Sequence, residues 1–131
     1  MAKFVDEGIN RISDILFGSQ AVDASLYLGL YTNITEPVAA SGLSTMQEHS
    51  GDGYARKTLS RGTWTVSGAN ASYAEQTFTA SGGDWGDCYG YFIATSSDAS
   101  GKLMCVEQFS DGPYSVDDTE SVKISPIIRT S

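Results

Sequence analysis

A chain of 131 residues supplies one hydrophobic core and not two, and at this size a core holds without metal or disulfide staples. Acids outnumber Lys and Arg by 16 to 8 for a formal charge of −8, which repels a nucleic-acid backbone, because only Arg56, Lys57 and Arg61 gather into a small cationic group. The opening MAKFVDEGINRISDILFG places Asp6, Glu7, Arg11 and Asp14 where a signal peptide needs an uncharged core, and no apolar run reaches membrane-span length, so a soluble protein with no membrane partner is expected.

Residues 3–17 carry Val5, Ile9, Ile12 and Leu16 at helical spacing, flanked by Phe4 and Ile15, with polar side chains elsewhere around the axis. The spacing predicts an amphipathic helix within residues 1–18, ended by Gly18 in a left-handed turn. Gly8 lies inside it and weakens it by about 1 kcal/mol relative to alanine. So short a helix must dock, either on this domain's own core or in a groove of a neighbouring subunit. Val5, Ile9, Ile12 and Leu16 are therefore candidate interface residues.

From residue 25 the period changes to two. SLYLGLYT sets Leu26, Leu28 and Leu30 on one face and Tyr27 and Tyr31 on the other, the pattern of a strand. Residues 33–50, with Pro37, Gly42 and few apolar side chains, read as a surface excursion holding a turn of helix at 44–48. Further strands are expected at 54–59, 63–66, 71–79, 88–95, 102–109 and 122–128, each bounded by turn-forming residues. Short strands at this spacing, without helices between them, define a mainly β, antiparallel sandwich or barrel with one N-terminal amphipathic helix, built as a single domain.

YGYFIATSSDASGKLMCVEQF is the clearest hairpin. With 96–101 as its loop, Ile93 pairs with Met104, Phe92 with Cys105 and Tyr91 with Val106, so both faces are apolar and the hairpin is central. Cys88 then falls opposite Phe109, four residues along the strand from Cys105 and too far for a disulfide. Two cysteines are also too few for a zinc site, and reduced, buried thiols are expected.

GDGYARKTLS, residues 51–60, combines glycines with two cations, yet it lacks the Gly-Lys-Ser/Thr ending of a phosphate-binding loop and the third glycine of the dinucleotide fingerprint. Alternation of Ala55, Lys57 and Leu59 with Arg56, Thr58 and Ser60 fits a strand leaving a glycine turn. Its cations, with Arg61, are candidates for pairing with an acid on this chain or on a neighbour. His49, the sole histidine, is a conceivable general base but has no nucleophile nearby in sequence. Among the carboxylates Asp84, Asp87, Glu107, Asp111, Asp117, Asp118 and Glu120, the run Asp117-Asp118-Thr119-Glu120 does not follow a calcium-loop order, and solvated turn residues are expected. Neither an enzyme, a metal site nor a cofactor is expected.

The ordered segments LYLGLYTN, EHSGDGYARKTL, GTWTV, QTFTASGGDWGDCYGYFI, GKLMCVEQF and VKISPIIR resemble a group of small structural proteins of tailed bacteriophages, over residues 25–128. The resemblance implies a virion part assembled in the host cytoplasm, present in many copies and bound to the major capsid protein or to tail proteins. It implies no catalytic residues. A capsid decoration or cement protein that stabilises the assembled shell is the leading expectation. The alternative is a tail or fibre module that binds host-surface glycan, with Trp85, Tyr89 and Tyr114 as stacking platforms.

Overall fold

The computed structural model describes residues 2–129. Strand β1 (Lys3–Phe4) leads into helix α1 (Asp6–Phe17), and β2 (Ser25–Tyr31) follows. A 3-10 turn at Leu43–Thr45 interrupts the long loop before β3 (Lys57–Ser60). The remaining strands are β4 (Thr65–Ser67), β5 (Asn70–Ser72), β6 (Gln76–Thr79), β7 (Gly86–Cys88), β8 (Gly90–Ala94), β9 (Leu103–Gln108), β10 (Tyr114–Val116), β11 (Ser121–Ile124) and β12 (Ile127–Arg129). The mainly β, antiparallel expectation with one N-terminal helix holds, and no closed barrel forms.

The largest sheet has the order β1-β9-β8-β2-β3, accompanied by a β12-β5-β4 sheet and two ribbons, β10-β7 and β11-β6. Ala2 stitches the two larger sheets together. It forms a parallel bridge with Ile128, its N–H donating to Ile127 O at 2.8 Å and its carbonyl accepting from Arg129 N at 3.4 Å. The free edges of this combined array, β3 and β4, are successive in sequence, separated only by residues 61–64.

Several strand boundaries differ from expectation, each for a backbone reason. The 71–79 strand breaks where Tyr73 turns its N–H to Pro126 O, and the 88–95 strand breaks where Tyr89 donates to Tyr31 O. Pro126, which has no N–H for a ladder, divides 122–128 into β11 and β12. The 54–59 strand begins only at Lys57, and β10 was not signalled by alternation.

The central strands are buried on both faces, as the hairpin pattern requires. Leu28, Leu30, Tyr91 and Ile93 enter one apolar cluster with Phe78 and Val116 from the ribbons and Trp85 from the loop before β7. Tyr31, Phe92 and Ala94 point the other way, joining Val5, Leu43 and Leu103. Both cysteines are free and buried, as expected. Cys88 lies in β7 opposite Tyr114 rather than opposite Phe109.

Next to the loop the β8–β9 register is the expected one, with Thr95 N donating to Lys102 O, and beyond Ala94 it lies one residue away. Phe92 pairs with Val106 and Ile93 with Cys105, while Ala94 pairs with Leu103. Met104 is therefore the extra residue of a β-bulge, and it shares the face of Cys105 instead of alternating with it. This bulge receives α1. Val5 N donates to Met104 O at 3.1 Å, and Glu7 Oε1 accepts the Leu103 N–H at 2.7 Å and the Leu43 N–H at 3.4 Å. Pairing of β1 with β9 holds Phe4 extended, so the helix starts at Asp6 rather than within the first residues.

Gly8 is what lets α1 approach so closely. A Cβ there would lie 2.7 Å from Met104 Cα and 2.8 Å from its carbonyl carbon. Gly8→Ala gains about 1 kcal/mol of helix propensity but must lift the helix off backbone atoms, a strain of roughly 3 kcal/mol. The expected net loss is about 2 kcal/mol, read as a melting temperature lower by roughly 5–10 °C. A variant that melts at or above the wild-type temperature would refute the close-approach role.

Candidate functional site

The helix stripe expected to act as one surface is divided. Val5 is in the core and Ile12 packs against it, whereas Ile9 and Leu16 face solvent together with Phe17. Gly8, Ile12 and Ile15 form the inward face, because the bulge at Met104 selects the side bearing glycine. From the middle of α1, Arg11 holds Asp23 through two hydrogen bonds, Nη2 to Oδ1 at 2.7 Å and Nε to Oδ2 at 3.3 Å. That pair fixes the linker between α1 and β2.

The GDGYAR segment folds into an internal clasp. Gly51, Asp52 and Gly53 all have positive φ, at 82°, 52° and 80°, a reversal that glycine makes without steric cost. It folds the chain back so that Glu48 and Arg56, which flank it, meet. Arg56 Nε donates to Glu48 Oε1 at 3.1 Å, Nη1 donates to the carbonyls of Ser96 and Asp98, and the guanidinium lies 5.0 Å from the Phe92 ring centroid. The Arg56 side chain is only 5 % exposed. Its acidic partner is Glu48, and the pair is internal to the chain.

Glu48 Oε2 also accepts from Tyr54 OH, whose oxygen in turn accepts the Leu30 N–H at 3.0 Å. Next to this clasp, His49 Nε2 lies 2.9 Å from Asp52 Oδ2, and Trp85 Nε1 donates to Asp52 O at 2.8 Å. The rings of His49 and Tyr54 pack on Trp85 at centroid distances of 6.0 and 5.3 Å. The arrangement is a fastening of the 33–56 loop onto the body. Sequence reasoning missed Glu48, although its position just before a Gly-Asp-Gly reversal, with Arg56 just after, is a readable signal.

The remaining site candidates lie apart. Lys57 Nζ sits 5.5 Å from the Phe78 ring centroid, and Arg61 is exposed beside an apolar groove of about 400 Å³. This groove opens between the free edges β3 and β4. Leu59 and Val66 form its sides, and Phe4 and Met104 line it as well. Of the three candidate sugar platforms, Trp85 is 5 % exposed within the core, Tyr89 is half-buried, and Tyr114 is 37 % exposed with its ring 4.8 Å from that of Phe109. Among the described residues no group of three or more His, Cys, Asp or Glu side chains is arranged to hold a metal ion. No described helix is long and apolar enough to cross a membrane.

A small antiparallel β body, fastened by internal polar contacts and presenting apolar surface at one seam, is built as a structural component. The chain belongs to the family described as Podophage GP4 fiber I protein gp80, which matches residues 4–127 and so takes in α1 as well as the β body. It is a phage virion structural protein. No curated protein matches the chain.

Proposed function

We propose that the protein is a fibre-associated component of a podophage particle that works by adhering to other virion proteins and not by catalysis. The observation that carries this reading is the family match over residues 4–127 to a fibre protein. It favours the tail or fibre alternative over capsid decoration. The geometry is consistent with adhesion. The cations that looked available for partners are partly spent inside, Arg56 on Glu48, while exposed apolar side chains remain at Ile9, Leu16, Phe17 and Val66. Such unpartnered apolar surface is characteristic of contact sites on structural proteins.

Immunogold labelling of purified particles, with copy number measured by quantitative mass spectrometry, tests the proposal. Label on the tail or its fibres at few copies per particle is the expected outcome. Label spread over the head at hundreds of copies would overturn it in favour of shell decoration.

A further inference from the structure

Helix α1 divides two unpartnered apolar features between its sides. Ile15 lines the groove between β3 and β4, with Leu59, Val66 and Met104 among its other walls and Arg61 at its rim. Its volume of about 400 Å³ lies within the roughly 300–1,000 Å³ range of clefts that accept a compact apolar group. Turned away from the groove, Leu16 and Phe17 are 67 % and 87 % exposed. Successive helical residues are about 100° apart, so the Phe17 side chain leaves the axis about 200° from that of Ile15. Asp14, three residues before Phe17, shares its side of the helix.

The charges narrow the choice of occupant. A chain of formal charge −8 repels its own copies, so a contact between copies needs a cation set against an acid. Arg61 at the groove rim and Asp14 beside Phe17 meet that need.

We propose that the groove receives a second copy of this chain: Leu16 and Phe17 of one molecule enter between Leu59 and Val66 of the next, with Asp14 facing Arg61. The projecting pair and the groove face apart on one rigid body, so the copy that fills a groove is not the copy whose groove is filled in return. The contact is heterologous and propagates from molecule to molecule, giving a filament or a ring instead of a closed pair. This deepens the fibre reading, on which it rests only in that an elongated part requires a repeating contact.

Sedimentation of the purified chain over a range of concentrations is the test, with two variants at exposed positions that leave the core untouched. Phe17→Ser removes the projection, and Val66→Glu spoils the groove. Each is expected to weaken association by about tenfold or more, with circular dichroism and melting temperature unchanged. Mixing the two restores one intact projection and one intact groove, so the mixture forms a one-to-one dimer and nothing larger. Arg61→Glu should weaken association as well, and Asp14→Lys in the same chain should restore it.

A wild-type chain that stays monomeric at high concentration overturns the proposal, as does one that stops at a symmetric dimer, or a variant mixture that stays monomeric. A monomeric wild type that needs Phe17 and the groove for incorporation into particles assigns both to another virion protein, and also overturns it. None of these outcomes moves the immunogold result, which decides the fibre location separately.

Discussion

Raising the pH from 9 to 11 is expected to remove about 4 kcal/mol of folding stability through two buried thiols alone. Burial pushes the Cys88 thiol up to about 11, helped by the charge of Asp87, and burial alone pushes the Cys105 thiol up to about 12, from an ordinary value of 9.0. Both thiols stay protonated in the fold while the unfolded chain ionises. The unfolded state then binds fewer protons, so stability falls as pH rises through this window, by about 1.4 kcal/mol per thiol per pH unit. Above pH 10 the buried phenols of Tyr31, Tyr54 and Tyr91 add to the loss, since burial first and neighbouring acids second hold each above its ordinary range.

A loss of this size rivals the whole stability of an average domain, roughly 5–15 kcal/mol. Urea titrations at successive pH values should give a flat unfolding free energy up to about pH 9 and a steep fall beyond it. The Cys88→Ala, Cys105→Ala double variant should start less stable, because it leaves small cavities, but should fall less steeply. Equal stability at pH 8 and pH 11 would sink the argument.

Glu48→Ala is expected to cost about 3 kcal/mol. Removing one partner of a mostly buried ion pair leaves the other charge uncompensated, a penalty of roughly 3–5 kcal/mol, and the lower end applies because Glu48 keeps some contact with solvent. The substitution also strips Tyr54 OH of its short acceptor and leaves it only the Leu30 carbonyl at 3.5 Å. Adding Arg56→Met removes the stranded guanidinium while keeping apolar bulk over Phe92. The carbonyls of Ser96 and Asp98, which Arg56 otherwise satisfies, lie where water can replace it. The double variant should therefore recover about 1 kcal/mol or more relative to Glu48→Ala alone. Losses that simply add would show that the two side chains do not act as a pair.

Strands with one covered face were legible because half-burial writes itself as alternation, as in β11, where Val122 and Ile124 are buried and Ser121 and Lys123 exposed. Leu28 and Leu30 opposed to Tyr31 is a pattern that only one pleat satisfies. The β8–β9 hairpin was legible as central for a related reason, being apolar on both faces. Its register was not, because a bulge adds a residue without any change in composition, and nothing in LMCVEQF says that Met104 is the one left over.

The same bulge hid the helix orientation. Apolar spacing favoured Val5, Ile9, Ile12 and Leu16, yet docking was decided by Gly8, the one position where α1 could touch the Met104 backbone. A steric permission of this kind carries no hydrophobic signal. The clasp was partly legible, since a Gly-Asp-Gly reversal brings its flanks together, but the two carbonyls that complete the Arg56 site come from the loop after β8, some forty residues away.

The parallel bridge between Ala2 and Ile128 has a mechanical consequence. Tension entering ahead of residue 2 and leaving beyond residue 129 would pull the two bridged segments past each other along their length. The two hydrogen bonds there would then be strained in shear, simultaneously, where a hairpin pulled from its open end gives way one rung at a time. A subunit threaded into a pulled tether by its two ends would resist stretching at that stitch before any other part of the body yielded.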